Sequence, residues 1–84
     1  MVFAIDIGNT NIVIGCFEDK KIIFTERLST KKTATALEYA ISFKNVLELY
    51  NVELDKIEGS IISSVVPEIT TIVNNAIKSL LLFD

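Results

Sequence analysis

Two apolar, β-branched runs, Val2 to Ile7 and Asn11 to Phe17, are separated only by the turn-forming Gly8-Asn9-Thr10. So short a gap between two strand-forming runs predicts an antiparallel hairpin. A second break, Glu18-Asp19-Lys20-Lys21, precedes a third run from Ile22 to Leu28. Alternation there puts Ile22, Phe24 and Leu28 on one face and Thr25 and Arg27 on the other, as in a half-exposed edge strand.

After the polar Ser29 to Thr33 the period changes. Ala36, Ala40, Phe43, Leu47 and Tyr50 recur at three- and four-residue steps, with Leu37 and Ile41 widening the stripe. This spacing predicts an amphipathic helix, and Thr35 followed by Glu38 fits a capping box at its start. Asn51 to Glu58 reads as a loop with Val52, Leu54 and Ile57 tucked beneath it. Gly59 to Val66 then reads as a fourth strand, apolar enough to be interior, and Pro67 ends it. Proline suits a first helical turn, and Ile69, Ile72, Val73, Ala76, Ile77, Leu80 and Leu81 follow helical spacing.

The order β-β-β-α-β-α opens the α/β ribonuclease-H-like fold of sugar kinases, actin and Hsp70. In that fold the fourth strand runs parallel to the first, and a fifth strand with its own helix completes the sheet. Residues 1–84 are therefore expected to form the N-terminal part of such a nucleotide-binding domain, without the fifth strand and its helix. Composition agrees. The 84 residues are 50% hydrophobic, and adding glycine gives about 54%, against roughly 45–50% in ordinary domains. So short a chain buries only about 60–65% of its unfolded surface. The surplus predicts self-association or coverage by further chain, at the open edge of the fourth strand and along Ile69 to Leu81. Disorder is excluded.

The longest apolar runs, such as Leu80 to Phe83, fall far short of a membrane span, and the N-terminus lacks a basic, signal-like start. The expectation is a cytoplasmic protein without a membrane partner. A net charge of −3 lacks the basic footprint of a nucleic-acid binder. Cys16 is the only cysteine, no histidine is present to activate it, and it reads as a buried thiol.

Asp6 most resists a structural account, since its neighbours Phe3, Ala4, Ile5 and Ile7 look buried and a desolvated carboxylate is costly without a partner. It could cap its own turn by accepting from Gly8 or Asn9 N–H. Alternatively, a carboxylate ending a strand, a glycine that admits a ligand to the backbone, and small polar residues suit a Mg-nucleotide. Gly8, Asn9 and Thr10 would cradle the phosphates with backbone donors while Asp6 holds Mg²⁺. No Walker A or G-x-G-x-x-G pattern is present. Ser63 and Ser64 could line the same cleft or satisfy the turn before Pro67. Glu38, Glu48, Glu53 and Glu68 read as solvated or capping carboxylates, and Lys31-Lys32 as a solvated pair.

Asp6-Ile7-Gly8-Asn9-Thr10-Asn11-Ile12-Val13-Ile14-Gly15, then Glu38-Tyr39, then Ile62-Ser63-Ser64-Val65-Val66-Pro67 ahead of Thr70, together resemble the N-terminal part of type III pantothenate kinase. That family was once described as Baf (Bvg accessory factor) transcriptional activators. The resemblance covers the whole chain, about the first third of a family member. It implies ATP-dependent phosphorylation of pantothenate to 4′-phosphopantothenate, the first step of coenzyme A biosynthesis, by a cytoplasmic homodimer. The implied cofactors are ATP, Mg²⁺ and a monovalent cation, K⁺ or NH₄⁺. The nucleotide-binding segment maps onto Asp6, Ile7, Gly8, Asn9, Thr10, Asn11, Ile12 and Val13. The family's catalytic aspartate, G-A-D-R substrate motif and cation-binding aspartate fall beyond the chain, which is therefore expected to be inactive alone.

Three departures from the family pattern stand out: Cys16 in place of a small or β-branched residue, Leu37 in place of an acidic one, and Ser79 to Asp84. The last is expected of an early stop, of an excised domain or of a frameshifted product. Two other readings compete. A two-metal nuclease needs further carboxylates converging on Asp6, and the end of the fourth strand supplies serines. A non-catalytic regulatory or interaction module of the Baf type would use the exposed apolar face.

Overall fold

The computed structural model describes residues 1–81. The Leu82-Phe83-Asp84 end of the departure noted above lies outside them. The elements are β1 (Val2–Ile7), β2 (Asn11–Glu18), β3 (Lys21–Ser29), α1 (Ala36–Leu49), a turn of 3₁₀ helix (Leu54–Lys56), β4 (Gly59–Ser64) and α2 (Pro67–Leu81). They form a mixed four-stranded sheet in the order β3-β2-β1-β4, β1 antiparallel to β2 and parallel to β4. The expected order of elements, the edge position of β3 and the parallel pairing of β4 with β1 are all present.

Strand alternation divides the sheet into two unlike faces. Phe3, Ile5 and Ile7 of β1, Ile12, Ile14 and Cys16 of β2, and Phe24 of β3 are buried in one core with α1 and α2. Phe3 meets Phe43 of α1 edge-on at 5.9 Å and 76°. The opposite face carries Ala4, Asp6, Val13, Gly15, Phe17, Thr25, Ile61 and Ser63, and neither helix covers it.

Four sequence expectations are corrected. Ile22 does not share a face with Phe24 and Leu28. A bulge opposite Cys16 and Phe17 pairs Ile22 with Phe17 and leaves Ile23 unpaired, turning Ile22 to the uncovered face at 62% exposure; an inserted residue reverses strand parity. β4 forms the open edge expected of the fourth strand, but its apolar run is not interior among the described residues, with Ile61 63% exposed. The buried stripe of α1 is Tyr39, Ala40, Phe43, Val46 and Leu47, while Leu37 and Ile41 are exposed. Periodicity locates the stripe's axis, but burial of Tyr39 and Val46 rotates the sealed flank away from Leu37. Finally, the stripe from Ile69 to Leu81 is no surplus: Ile69, Val73, Ala76 and Ile77 are buried, and the most exposed large apolar side chains among the described residues sit instead on the sheet at Ile22 and Ile61, at Val65, and on α1 at Leu37, Ile41 and Leu49.

Local signals set the element ends. The Thr35 hydroxyl accepts from Glu38 N–H at 3.2 Å and the Glu38 carboxylate from Thr35 N–H at 2.8 Å, the reciprocal box expected. Asn51, with φ 59°, follows α1 in a Schellman arrangement, its N–H donating to Glu48 and that of Val52 to the Leu47 carbonyl. The Met1 amino group pairs with Glu58 at 3.2 Å, and Glu58 N–H donates to the Met1 carbonyl, holding the start of β1 beside that of β4.

Candidate nucleotide-phosphate site

Asp6 lies near the C-terminal end of β1, flanked in register by Val13 of β2 and Ser63 of β4. Contrary to the expectation of a desolvated carboxylate, it is exposed on the uncovered face, because Phe3, Ile5 and Ile7 take the core parity and leave Asp6 the other. It does not cap the turn either: Gly8 N–H donates to the Asn11 carbonyl at 2.9 Å, and the Asp6 carboxylate makes no hydrogen bond among the described residues. Asp6 and Ser63 share a groove of about 300 Å³ with Ala4, Val13, Gly15 and Phe17.

The turn beside this groove is tight. A Cβ on Gly8 would lie 3.0 Å from the Asn11 carbonyl oxygen, so close backbone approach, and not a left-handed φ, favours glycine there. Asn9 and Thr10 are exposed, and their N–H groups donate to no carbonyl of the turn or its neighbours. Asn9 and Thr10 thus leave two adjacent free donors at the tip, a few residues from the unpartnered Asp6 carboxylate, groups of the kinds that bind an anion and its cation. Of the other expected site residues, Ile7 and Ile12 are fully buried and can contribute only backbone atoms, while Asn11 begins β2 and Val13 faces the groove.

The two serines divide between their alternatives. Ser64 Oγ accepts from Val66 N–H at 3.0 Å and donates to the Val66 carbonyl at 3.1 Å, closing the turn before α2, whereas Ser63 faces the groove with Asp6. Lys31 and Lys32 are exposed. Glu48 lies 4.0 Å from Lys44 on the exposed side of α1. Burial pushes the Cys16 thiol up to about 11, as expected of an inert buried cysteine.

Sequence reasoning missed Thr30 and Tyr39 as parts of this region. Thr30 N–H donates to the Thr10 carbonyl at 2.9 Å, and its hydroxyl donates to the Gly8 carbonyl at 2.8 Å. The buried Tyr39 hydroxyl accepts from Lys31 N–H at 2.9 Å and donates to the Lys31 carbonyl at 2.7 Å. The available signal was register. Ser29, the last residue of β3, pairs with Asn11, so Thr30, which follows it, must lie against Thr10.

No group of three or more His, Cys, Asp or Glu side chains converges among the described residues. A two-metal nuclease centre therefore has no support there. No helix of the described residues is long and apolar enough to cross a membrane.

An α/β chain with a tight β-turn-β hairpin at the C-terminal end of parallel strands has the architecture in which open α/β sheets bind their ligands. Comparison with known proteins narrows this to one family. Residues 2–83 match type III pantothenate kinase. The chain is 42% identical to the type III pantothenate kinase of Finegoldia magna over 96% of its own length and 31% of the relative's. It is 41% identical to that of an Exiguobacterium species over 82% of this chain and 27% of the relative, and 44% identical to that of Bifidobacterium animalis subsp. lactis over the same shares. The chain belongs to the type III pantothenate kinase family. It spans less than a third of the length of these curated relatives.

Proposed function

We propose that this chain supplies the ATP-phosphate-binding hairpin of an enzyme that transfers the γ-phosphoryl group of ATP to the hydroxyl of pantothenate, giving 4′-phosphopantothenate and ADP. The observation that carries the reading is the pair of free N–H groups at Asn9 and Thr10 beside the exposed, unpartnered Asp6. Family membership supplies the reaction class. The strand order β3-β2-β1-β4 supports a ribonuclease-H-like domain over residues 1–84, with a fifth strand and its helix belonging to the further length of the relatives.

In this reading Asn9 and Thr10 bind phosphate oxygens through their free backbone N–H groups, while Gly8, whose own N–H already donates to the Asn11 carbonyl, keeps the turn tight. Asn11, Ile7, Ile12 and Val13 hold the hairpin in register. Asp6, with Ser63 beside it, offers the hard oxygen donors that Mg²⁺ takes when one or two carboxylates and a nucleotide's phosphates share its shell. Bound there, Mg²⁺ would offset charge on the transferring phosphoryl group. Base, pantothenate and K⁺ or NH₄⁺ sites are assigned to the remainder of the enzyme, so the chain alone binds Mg-ATP without turning it over. The reading includes a cytoplasmic homodimer, and exposed Ile61 and Val65 are compatible with association.

Isothermal titration with Mg-ATP tests the assignment. The chain should bind, and Asp6→Ala should weaken binding at least tenfold, a difference of about 1.4 kcal/mol. Equal affinity for the two proteins removes Asp6 from the site.

A further inference from the structure

We propose that Thr30 is a positioning residue for the turn, aiming the Asn9 N–H at a bound phosphate. The inference deepens the reading above and rests on it. A trans peptide unit is planar, with its C=O and the following N–H pointing in opposite directions. The Thr30 hydroxyl holds the Gly8 carbonyl at 2.8 Å, so the Asn9 N–H of the same peptide unit is turned away from Thr30. Thr30 N–H holds the Thr10 carbonyl at 2.9 Å, which turns the Asn11 N–H in the same way. One residue thus orients two of the three peptide planes in the turn, and the Asn9–Thr10 plane is suspended between them.

The brace is itself anchored. Lys31, the next residue, is held at both its N–H and its carbonyl by the buried Tyr39 hydroxyl, at 2.9 and 2.7 Å. Tyr39 belongs to α1, which packs on the sheet core. The turn is therefore referenced to α1 through Thr30, Lys31 and Tyr39, in addition to its two flanking strands. Preorganised donors gain affinity by sparing a ligand the ordering of the loop.

The test is a titration of the ¹⁵N-labelled chain with Mg-ATP, alongside Thr30→Val, which keeps the side-chain shape and the backbone donor but removes the hydroxyl, and Thr30→Ser, which restores it. Loss of one such hydrogen bond is expected to weaken Mg-ATP binding about fivefold, with Thr30→Ser close to the unaltered chain. A purely structural role would lower the melting temperature of Thr30→Val and leave its affinity, measured well below melting, unchanged; that result overturns the proposal. If the amides of residues 8–11 do not move on adding Mg-ATP to the unaltered chain, the cradle reading fails and Thr30's role fails with it. If they move and Thr30→Val binds equally well, the cradle stands and only the Thr30 proposal falls. A measurement without any variant guards against misfolding. The Thr30 N–H is held by the Thr10 carbonyl of the same turn, so saturating Mg-ATP, by ordering the turn, should slow hydrogen exchange at the Thr30 amide, and unchanged exchange there refutes the brace.

Discussion

Replacing Phe43 tests the placement of the core most directly. Its side chain is fully buried, edge-on to Phe3 at 5.9 Å and tilted against Tyr39 at 5.9 Å. Phe43→Ala removes that contact and leaves a cavity, which costs about 3–5 kcal/mol. At about 0.05–0.15 kcal/mol per residue the whole chain has only about 4–13 kcal/mol of stability, so the variant should lose a large share of it and unfold at a much lower urea concentration in far-UV circular dichroism. Phe43→Leu keeps most of the volume. Its loss, roughly 1 kcal/mol of packing plus about 1 kcal/mol of aromatic pairing, should lower the melting temperature by roughly 10 °C. Leu37 lies one helical step outside the sealed stripe and is 68% exposed; Leu37→Ala should stay within about 0.5 kcal/mol of the unaltered chain. A Leu37→Ala loss as large as that of Phe43→Leu would refute the orientation of α1.

Asp19 and Lys20 carry positive φ of 50° and 66° in the two-residue turn between β2 and β3, where an Asp-Gly pair is favoured. Lys20→Gly should therefore raise the melting temperature by a few degrees, about 0.5–1 kcal/mol, and a fall would refute the turn assignment. Cys16, whose thiol burial pushes up to about 11, should resist iodoacetamide at neutral pH until urea unfolds the chain; fast labelling of the native protein would place it at the surface. Backbone and side-chain hydrogen bonds from Thr35 hold the Glu38 carboxyl below its ordinary 4.5. A lowered folded-state value gives stability that is present above about 4.5 and is lost as pH falls through the folded value. Glu38→Gln should thus flatten the acid slope of stability below about pH 5, leaving the part due to Glu26, which the Tyr50 hydroxyl and Arg27 N–H lower in the same sense. An unchanged slope would remove Glu38 from the capping box in solution.

Local rules made much of this structure legible. The hairpin ends, the capping box and proline at the start of α2 each depend on residues within a few positions of one another, and each is found where its residues stand. What escaped depends on partners distant in sequence. The bulge at Ile23 follows from how β3 closes on β2, and no pattern within residues 22–28 announces it. The sealed flank of α1 follows from Tyr39 reaching Lys31, eight positions earlier in the loop between β3 and α1. Asp6 was misread for a different reason. A run of apolar neighbours reads as burial on both faces of β1, whereas Asp6 lies on the uncovered face beside Ala4, Val13 and Ser63.

That correction changes the energetics assigned to the site. A buried Asp6 would have to be held against a desolvation penalty of several kcal/mol, and a bound metal would be part of what keeps the fold. An exposed Asp6 carries no such penalty, so the hairpin can stand without ligand. Strand register keeps the carboxylate in place. In β1 the parity that buries Phe3, Ile5 and Ile7 is the same parity that turns Asp6 outward. A slip of one residue against β2 or β4 would expose that apolar set and bury the carboxylate. The core therefore fixes the position of Asp6 indirectly. Substitutions of Ile5 or Ile7 that loosen the packing of β1 should weaken Mg-ATP binding even though both side chains are buried in the core.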